Sequence, residues 1–451
     1  MEAPRFASLI DLGFGDCGKG LFTDALCRRW PVHTVVRFNG GAQAGHNVVL
    51  PDGRHHTFSQ FGSGTFLPAV HTVLAREVVV HPTALLVEEA ALQRVGVRDA
   101  AERLQIDARC RVTTPYHQAA GRLREWQRGQ AAHGSCGVGV GETVRHALQR
   151  PEQVLRYGDL LRPALAMQKL VAIRDTLAAE FERYAFRCDE AQALEARVLA
   201  DDQVGARWLA AAHAVALRVA PASPEAIAQR LGRGGTVLFE GAQGLLLDEW
   251  RGFHPHTTWS SVGPAAAQAV LDELGLAGDI TQLGLLRSYL CRHGAGPLPT
   301  EDAALDTLPE PHNTSDGWQG RFRRGHPDAV LLRYAIDAAG ALDGLLVSHM
   351  DALGRGAELR WCLSYELMNG PANRSVCVEQ GGRVTRLVPS RDADLIHQAA
   401  LTQLLFRARP SYDEQPVSSA EALLQRIEAI TSRPVRFTSN GPTHRHVKAR
   451  G

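Results

Sequence analysis

The stretch DLGFGDCGKG, residues 11 to 20, spaces Gly13, Gly18 and Lys19 as G-x-x-x-x-G-K, the pattern in which backbone N–H groups cradle phosphates while a lysine neutralises charge. Two letters break the pattern. Gly20 stands where a serine or threonine would hold magnesium, and Asp16 places a carboxylate inside a cradle meant for anions. Such a carboxylate is tolerable beside phosphate only when a metal ion or a cationic side chain neutralises it. Read locally, the same residues also fit a glycine-rich strand-to-helix turn with Asp16 as a helix N-cap.

Other stretches carry similar chemistry. In NGGAQAGH, residues 39 to 46, three glycines stand beside Asn39, Gln43 and His46, which suits close approach of backbone to a ligand. FEGAQG places Glu240 and Gln243 beside glycines. GRFRRG, residues 320 to 325, gathers Arg321, Arg323 and Arg324, forks suited to carboxylate or phosphate; the same run also reads as a solvated basic loop. VSHMD ends in Asp351, a carboxylate able to accept the N1–H and N2–H of guanine.

These stretches need a scaffold that brings them together. FASLIDLG reads as a strand ending in the first glycine loop and KGLFTDALCRRW as the helix that follows. HTVVRFNG and REVVVHP read as the second and third strands, and TALLVEEAALQRVG as a helix. GGTVLFEGAQG, GDITQLGLLRSYLCRHGAGPLPTE and GLLVSHMDAL each carry a strand ending in glycine or polar residues. The alternation predicts an α/β fold with a central, mostly parallel sheet and flanking helices, interrupted by a mainly helical insertion over about 155–232. Open sheets of this kind bind ligands at the carboxyl ends of their strands, where every stretch above falls.

Composition sets the limits. The 451 residues are 45% hydrophobic and 22% charged, enough for a large core, and no linker divides them, so a single unit over 1–451 is expected. With 49 basic against 48 acidic residues and a net charge of +1, nothing calls for nucleic acid or an anionic membrane. No signal peptide or long apolar run is evident, which predicts a cytoplasmic protein. The eight cysteines, at 17, 27, 110, 136, 188, 291, 362 and 377, form no C-x-x-C pair and read as free thiols.

Taken in order, the stretches resemble the adenylosuccinate synthetase family. Its loop GDEGKGK stands here as GDCGKGL and its NAGH turn as QAGH; FEGAQG is intact. HPHTTWSS resembles YPYVTSS, HGAGPLPTE resembles VGAGPFPTE, GSCGVGVGE resembles GTTGRGIGP and TSNGPTH resembles STGPDR, the order holding from residue 8 to about 445. The resemblance implies a homodimeric ligase that uses GTP to phosphorylate the 6-oxygen of a purine monophosphate such as IMP, then displaces phosphate with an amine. Asp16 would be the base that removes N1–H, and His46 would donate to the transferring phosphoryl group. Lys19 and Gln243 complete the catalytic set, and Asp16 with the Gly45 carbonyl would hold Mg2+.

Carried over position by position, Gly15, Cys17, Gly18, Gly20, Asn47, Arg323, His349, Asp351, Ser439 and Gly441 join Asp16, Lys19, Gly45 and His46 around GTP. Gln43, Cys136, Thr258 and Arg321 join Asp16, Lys19, Gly45, His46 and Gln243 around the purine monophosphate, with Arg150 reaching it from the second subunit. The amine-substrate loop spans Gly317, Trp318, Gln319, Gly320, Arg321, Phe322 and Arg323. Here the chain departs most from the pattern. Trp318 and Gln319 replace two threonines, Val138 and Phe322 replace arginines, Gln43 replaces asparagine, Cys136 threonine, Trp259 serine and His349 lysine. Each change in the amine loop removes polar or cationic character, which implies an amine other than ordinary aspartate. The alternatives are a paralogous ligase with another amine or 6-oxopurine nucleotide, and a purine nucleotide-binding protein without ligase activity.

Overall fold

The computed structural model describes residues 2–182, 190–313, 317–356, 358–371 and 373–450. Ten strands form the central sheet. In spatial order they are Val447–Ala449, Val435–Ser439, Gly344–Ser348, Ile280–Arg287, Phe6–Asp11, Thr236–Glu240, Val32–Arg37, His71–Leu74, Leu104–Asp107 and Pro221–Ala222. All neighbours are parallel except the last C-terminal strand, which runs antiparallel to Val435–Ser439. The expected α/β class is therefore observed.

The strand Phe6–Asp11 lies near the middle of the sheet and is buried along its whole length, so its apolar residues run without alternation. Its neighbours are Thr236–Glu240 on one side and Ile280–Arg287 on the other. Phe6 and Phe239 on these strands are fully buried in one large core, and Phe22 of the first helix, Lys19–Arg29, is buried in another. Each such side chain contributes on the order of 2–3 kcal/mol of burial. Because the strands are parallel, their carboxyl ends present the loops after Asp11, Arg37, Glu240, Arg287, Ser348 and Ser439 along one edge of the sheet.

Three details differ from the sequence reading. The third strand is His71–Leu74; of REVVVHP only Val79–Val80 is extended, in a two-residue ladder with Arg111–Val112. The helical lobe begins earlier than 155, because Pro115–Arg128 packs with Pro163–Phe181, Glu190–Ala200 and Asp202–Arg218 around Tyr116, Ile173 and Trp208, and Pro221–Ala222 returns to the sheet before 232. A four-stranded antiparallel sheet of Cys377–Gln380, Arg383–Leu387, Cys362–Leu367 and Ala408–Tyr412 is an element that the sequence reading lacked. The cysteines other than 188, which lies outside the described residues, are free thiols. Among the described residues no helix is long and apolar enough to cross a membrane.

Candidate active site

The first glycine loop is held from below by Asp11, the last residue of its strand. The Asp11 carboxylate accepts the N–H of Gly13 at 2.9 Å, the N–H of Cys17 at 3.1 Å and the Lys19 ammonium at 2.7 Å. Burial alone would lower the Lys19 pKa, but Asp11 outweighs it and raises it, so the lysine is charged and already partnered. Gly15, Asp16 and Gly18 all have positive φ, and Asp16 at φ 59 is a non-glycine residue in the left-handed region. Asp16 is thus not the N-cap; Gly18 is.

The oddity at position 20 has a steric cause. A Cβ on Gly20 would lie 2.6 Å from the carbonyl oxygen of Asn47, because the strand His46–Val49 crosses the first turn of the helix there. No hydroxyl side chain fits. Gly244 is constrained in the same way from the other side, since a Cβ there would collide with the Gly13 carbonyl and the Gly15 amide.

That crossing strand delivers His46. Its Nδ1 is 2.7 Å from Glu240, the end of a fully buried strand, and Glu240 also accepts the Ser63 N–H at 2.9 Å and the Ser63 hydroxyl. Burial pushes the Glu240 carboxyl up, but His46, Arg37 and Ser63 outweigh it and hold it at about 2. Burial, helped by the Arg37 charge, lowers His46 to about 4 against the pull of Glu240. The resting state is therefore an ionised Glu240 accepting from a neutral imidazole, which leaves Nε2 as a bare lone pair. That atom is buried with no hydrogen-bond partner. An anionic group arriving at Nε2 draws a proton onto it, and Glu240 stabilises the imidazolium that results.

Two more orphans share this region. Gln43 Oε1 and Gln243 Oε1 are buried without partners, and both side chains lie against the Gly40–Gly41 turn. Gln243, like Asp16, is held at positive φ, and the adjacent Ala242 N–H is pinned by Asn39 Oδ1 at 2.7 Å. Two such acceptors beside one glycine turn are open to hydrogen bonds from a ligand or water.

Asp16 faces the strand Leu290–His293. His293 Nε2 is 3.5 Å from Asp16 Oδ2, and Arg287 donates to the Asp16 carbonyl at 3.3 Å. Burial would raise the Asp16 carboxyl, but His293, Lys19 and Arg287 keep it below its ordinary value, so it is an available base. Among the described residues no cluster of three or more His, Cys, Asp or Glu side chains could hold a metal. A lone carboxylate beside main-chain carbonyls is still the donor set that suits Mg2+, which keeps waters and takes phosphate oxygens.

The remaining residues occupy three surroundings. Past Ser348, His349 sits at φ 56 with Nδ1 2.8 Å from Ser348 Oγ, and Asp351 pairs with Arg355 at 2.8 Å. On the neighbouring strand Ser439 donates to the Gly441 carbonyl at 2.7 Å, so these residues share adjacent strand ends. The Asn47 side-chain oxygen is taken up by Thr57 and His55. On the purine side, Cys136 lies in the loop before the helix Val140–Gln149, Arg150 is exposed at the end of that helix, and Thr258 donates its N–H to Leu247 O at 2.8 Å. Trp259 packs against Gly141.

In the amine-substrate loop, Arg321 and Arg323 both pair with Glu301, the last residue of HGAGPLPTE, and Arg323 also donates to Gly296 O at 2.7 Å. Phe322 is buried against His293, with ring centroids 4.9 Å apart. Trp318 does not fold into the arginine cluster. Its ring meets Trp126 at 4.8 Å, lies 5.3 Å from the Arg122 guanidinium and covers Gly137 beside Cys136. It fastens the segment around Gly317–Arg323 to the loop that carries Cys136. Gly317 and Gly320 frame this turn, joined by the Gly320 N–H to Gly317 O at 3.0 Å, with Gln319 between Trp318 and Gly320. Asp11, Glu301 and His293 received no role from the sequence. Each was visible only as a polar residue at the end of an apolar strand or glycine motif.

Comparison with known proteins adds an independent line. The family model described as adenylosuccinate synthetase matches residues 9–448. The adenylosuccinate synthetase of Thioalkalivibrio sulfidiphilus is 31% identical over 452 residues, covering 97% of this chain and 96% of that protein. That of Mycobacterium tuberculosis is 32% identical over 447 residues, covering 96% and 95%. Among solved structures, fully ligated adenylosuccinate synthetase from Plasmodium falciparum superposes with a TM-score of 0.79 at 19% identity, over 99% of this chain and 100% of that one. Succinoaminodeoxyadenylate synthetase of cyanophage S-2L, bound to dGMP and dATP as an energy donor, gives 0.61 at 19% identity, over 98% and 94%.

Proposed function

The chain belongs to the adenylosuccinate synthetase family, a family of GTP-dependent ligases, and we propose that it phosphorylates the 6-oxygen of a 6-oxopurine monophosphate and then replaces that phosphate with an amine. One observation carries the reading. The buried His46–Glu240 pair leaves Nε2 as an orphan beside a glycine loop that holds the low-pKa carboxylate of Asp16. A protein that only bound nucleotide would gain nothing from a buried imidazole with a missing partner on the strand that crosses the helix after the Asp16 loop.

In the first step Asp16 takes the N1 proton. Its electrons shift onto O6, which attacks the γ-phosphorus of GTP as the bond to GDP breaks. His46 meets the transferring phosphoryl oxygens with Nε2, and Gln243 faces the developing charge on the 6-oxygen through its amide. In the second step the amine adds at C6, loses its proton and expels phosphate. Asp16 and the Gly45 carbonyl would hold Mg2+, which supplies charge neutralisation on the phosphates when bound. Asp351, with Ser439 and Gly441 opposite, selects guanine over adenine. Cys136, Thr258, Gln43 and Arg321 hold the purine monophosphate, and Arg150 completes that site in the partner of a homodimer. We expect the reaction to run in the cytoplasm.

The amine deserves a second reading because the aspartate-type donors are thinned. Val138, Trp318 and Phe322 stand where the family pattern carries donors, and Glu301 already engages both remaining arginines. Losing one charge-assisted hydrogen bond costs about 1.5–3 kcal/mol. We therefore expect weak use of aspartate and better use of an amine with one carboxylate and a less polar remainder. The test is phosphate release from GTP across a panel of amines with IMP and GMP, with products read by mass. Release that needs neither purine nor amine would overturn the ligase, and saturable aspartate use at sub-millimolar concentration would overturn the altered amine.

A further inference from the structure

We infer that His293 is a positioning residue that ties the base Asp16 to the chain segment leading into the amine-substrate loop. The inference rests on the role proposed above for Asp16. It begins from a ring of polar contacts that leaves the Asp16 carboxylate and returns to the Asp16 carbonyl.

His293 Nε2 lies 3.5 Å from Asp16 Oδ2 and 3.3 Å from Asn313 Oδ1. Asn313 Nδ2 donates to Glu310 Oε2 at 3.0 Å. Glu310 accepts the Tyr289 hydroxyl at 2.7 Å and pairs with the buried Arg287, which donates onward to the Asp16 carbonyl at 3.3 Å. The direction of each bond follows from chemistry. A carboxylate paired with a guanidinium only accepts, so Asn313 must turn its NH2 toward Glu310 and its oxygen toward His293. Nε2 then faces two acceptors and must carry the proton. Nδ1 is buried without a partner, so nothing competes for the other tautomer.

One N–H therefore stands between two oxygens at distances too long to satisfy both well, and it leans to one side or the other. When it leans to Asp16, it fixes one carboxylate oxygen and leaves the other for the substrate N1–H. When the carboxylate turns away, the N–H falls back on Asn313. His293 also pairs in register with Phe322 of the amine loop, and the two rings are packed together, so movement of that loop reaches the imidazole directly. In the motif VGAGPFPTE, which HGAGPLPTE resembles, a valine takes this place and has no N–H to offer.

Two measurements decide it. His293→Val should lower kcat about 10- to 100-fold, the loss expected for one charge-assisted hydrogen bond, with the KM for GTP unchanged within about threefold. His293→Gln, which keeps an N–H donor of similar reach, should recover most of that loss. An unimpaired His293→Val, or equal impairment of both variants, overturns the proposal. The second measurement needs no turnover: 15N NMR of the imidazole in the full chain above neutral pH. The neutral ring should be the Nε2–H tautomer, and its resonance should move in Asp16→Asn and again in Asn313→Leu. An Nδ1–H tautomer, or a resonance indifferent to both changes, overturns the proposal even if the wild-type protein releases no phosphate, an outcome that would refute the ligase reading instead.

Discussion

The proposed phosphoryl-transfer centre and the proposed amine-substrate loop sit side by side and are built on opposite plans. Around Asp16 and His46, the geometry comes from main-chain contacts and buried pairs: Asp11 with Lys19, Glu240 with His46, Gly20 under Asn47. Around Trp318 to Arg323, it comes from side chains at the rim, with Arg321 60% exposed and two arginines sharing Glu301. A centre made of backbone contacts tolerates few replacements, whereas a rim made of side chains can be rebuilt one residue at a time. The difference fits the proposed reading, in which the residues of the family's activation step are kept and those of the amine loop are replaced.

The sharpest way to break the comparison is at the two reacting groups. Asp16→Asn and His46→Asn should each lower turnover by about 100- to 10,000-fold, while GTP affinity stays within about tenfold, since both act on charge that develops during transfer. Single-turnover kinetics and calorimetry check this, and preserved turnover in either variant would sink the assignment. Next comes Gly20→Ala. Its Cβ must displace the Asn47 carbonyl 2.6 Å away and with it the neighbouring His46, so kcat should fall by about 100-fold, the cost of roughly an ångström of misplacement. An alanine variant with wild-type kcat would show that the two loops are not coupled.

At the rim the effects should be smaller. Trp318→Ala loses an aromatic pair and a cation–π contact of about 0.5–1 kcal/mol each, so the KM for the amine should rise roughly 5- to 30-fold with the KM for GTP unchanged. A GTP effect of the same size would place Trp318 in the wrong region. The buried pair can also be tested through stability against pH. His46 titrates near 6.5 when unfolded and at about 4 when folded, so the unfolded chain binds the extra proton and stability falls as pH drops from about 6.5 to 4. Glu240 is depressed, so its contribution is present above about 4.5 and fades toward 2. Thermal melts of His46→Asn should lose the first limb and shrink the second, because His46 is the largest of the groups that hold Glu240 down.

How much of this was legible depended on the range over which each feature is encoded. The loop GFGDCGKG, its strand and its helix lie within 25 residues of one another and follow from spacing. The His46–Glu240 bond joins residues 194 apart, and the fold alone brings them together. Asp11 looked like the end of a strand because its function, holding two loop amides and a lysine, appears only when the loop is folded back. The third strand was misplaced because VVV has more β propensity than HTVL, yet strand membership is set by which run reaches the sheet. The antiparallel sheet over 362–412 went unread because its strands are short, half exposed and carry charged residues.

Gly20 has one more consequence. With no Cβ between them, the first turn of the helix Lys19–Arg29 and the strand His46–Val49 touch backbone to backbone, so the glycine loop and the imidazole proposed to act on one phosphate cannot slide past each other. They act as one jaw of a vice rather than as two fingers. Under the proposed function, a phosphate seated on the loop would meet His46 at a spacing set by this backbone contact.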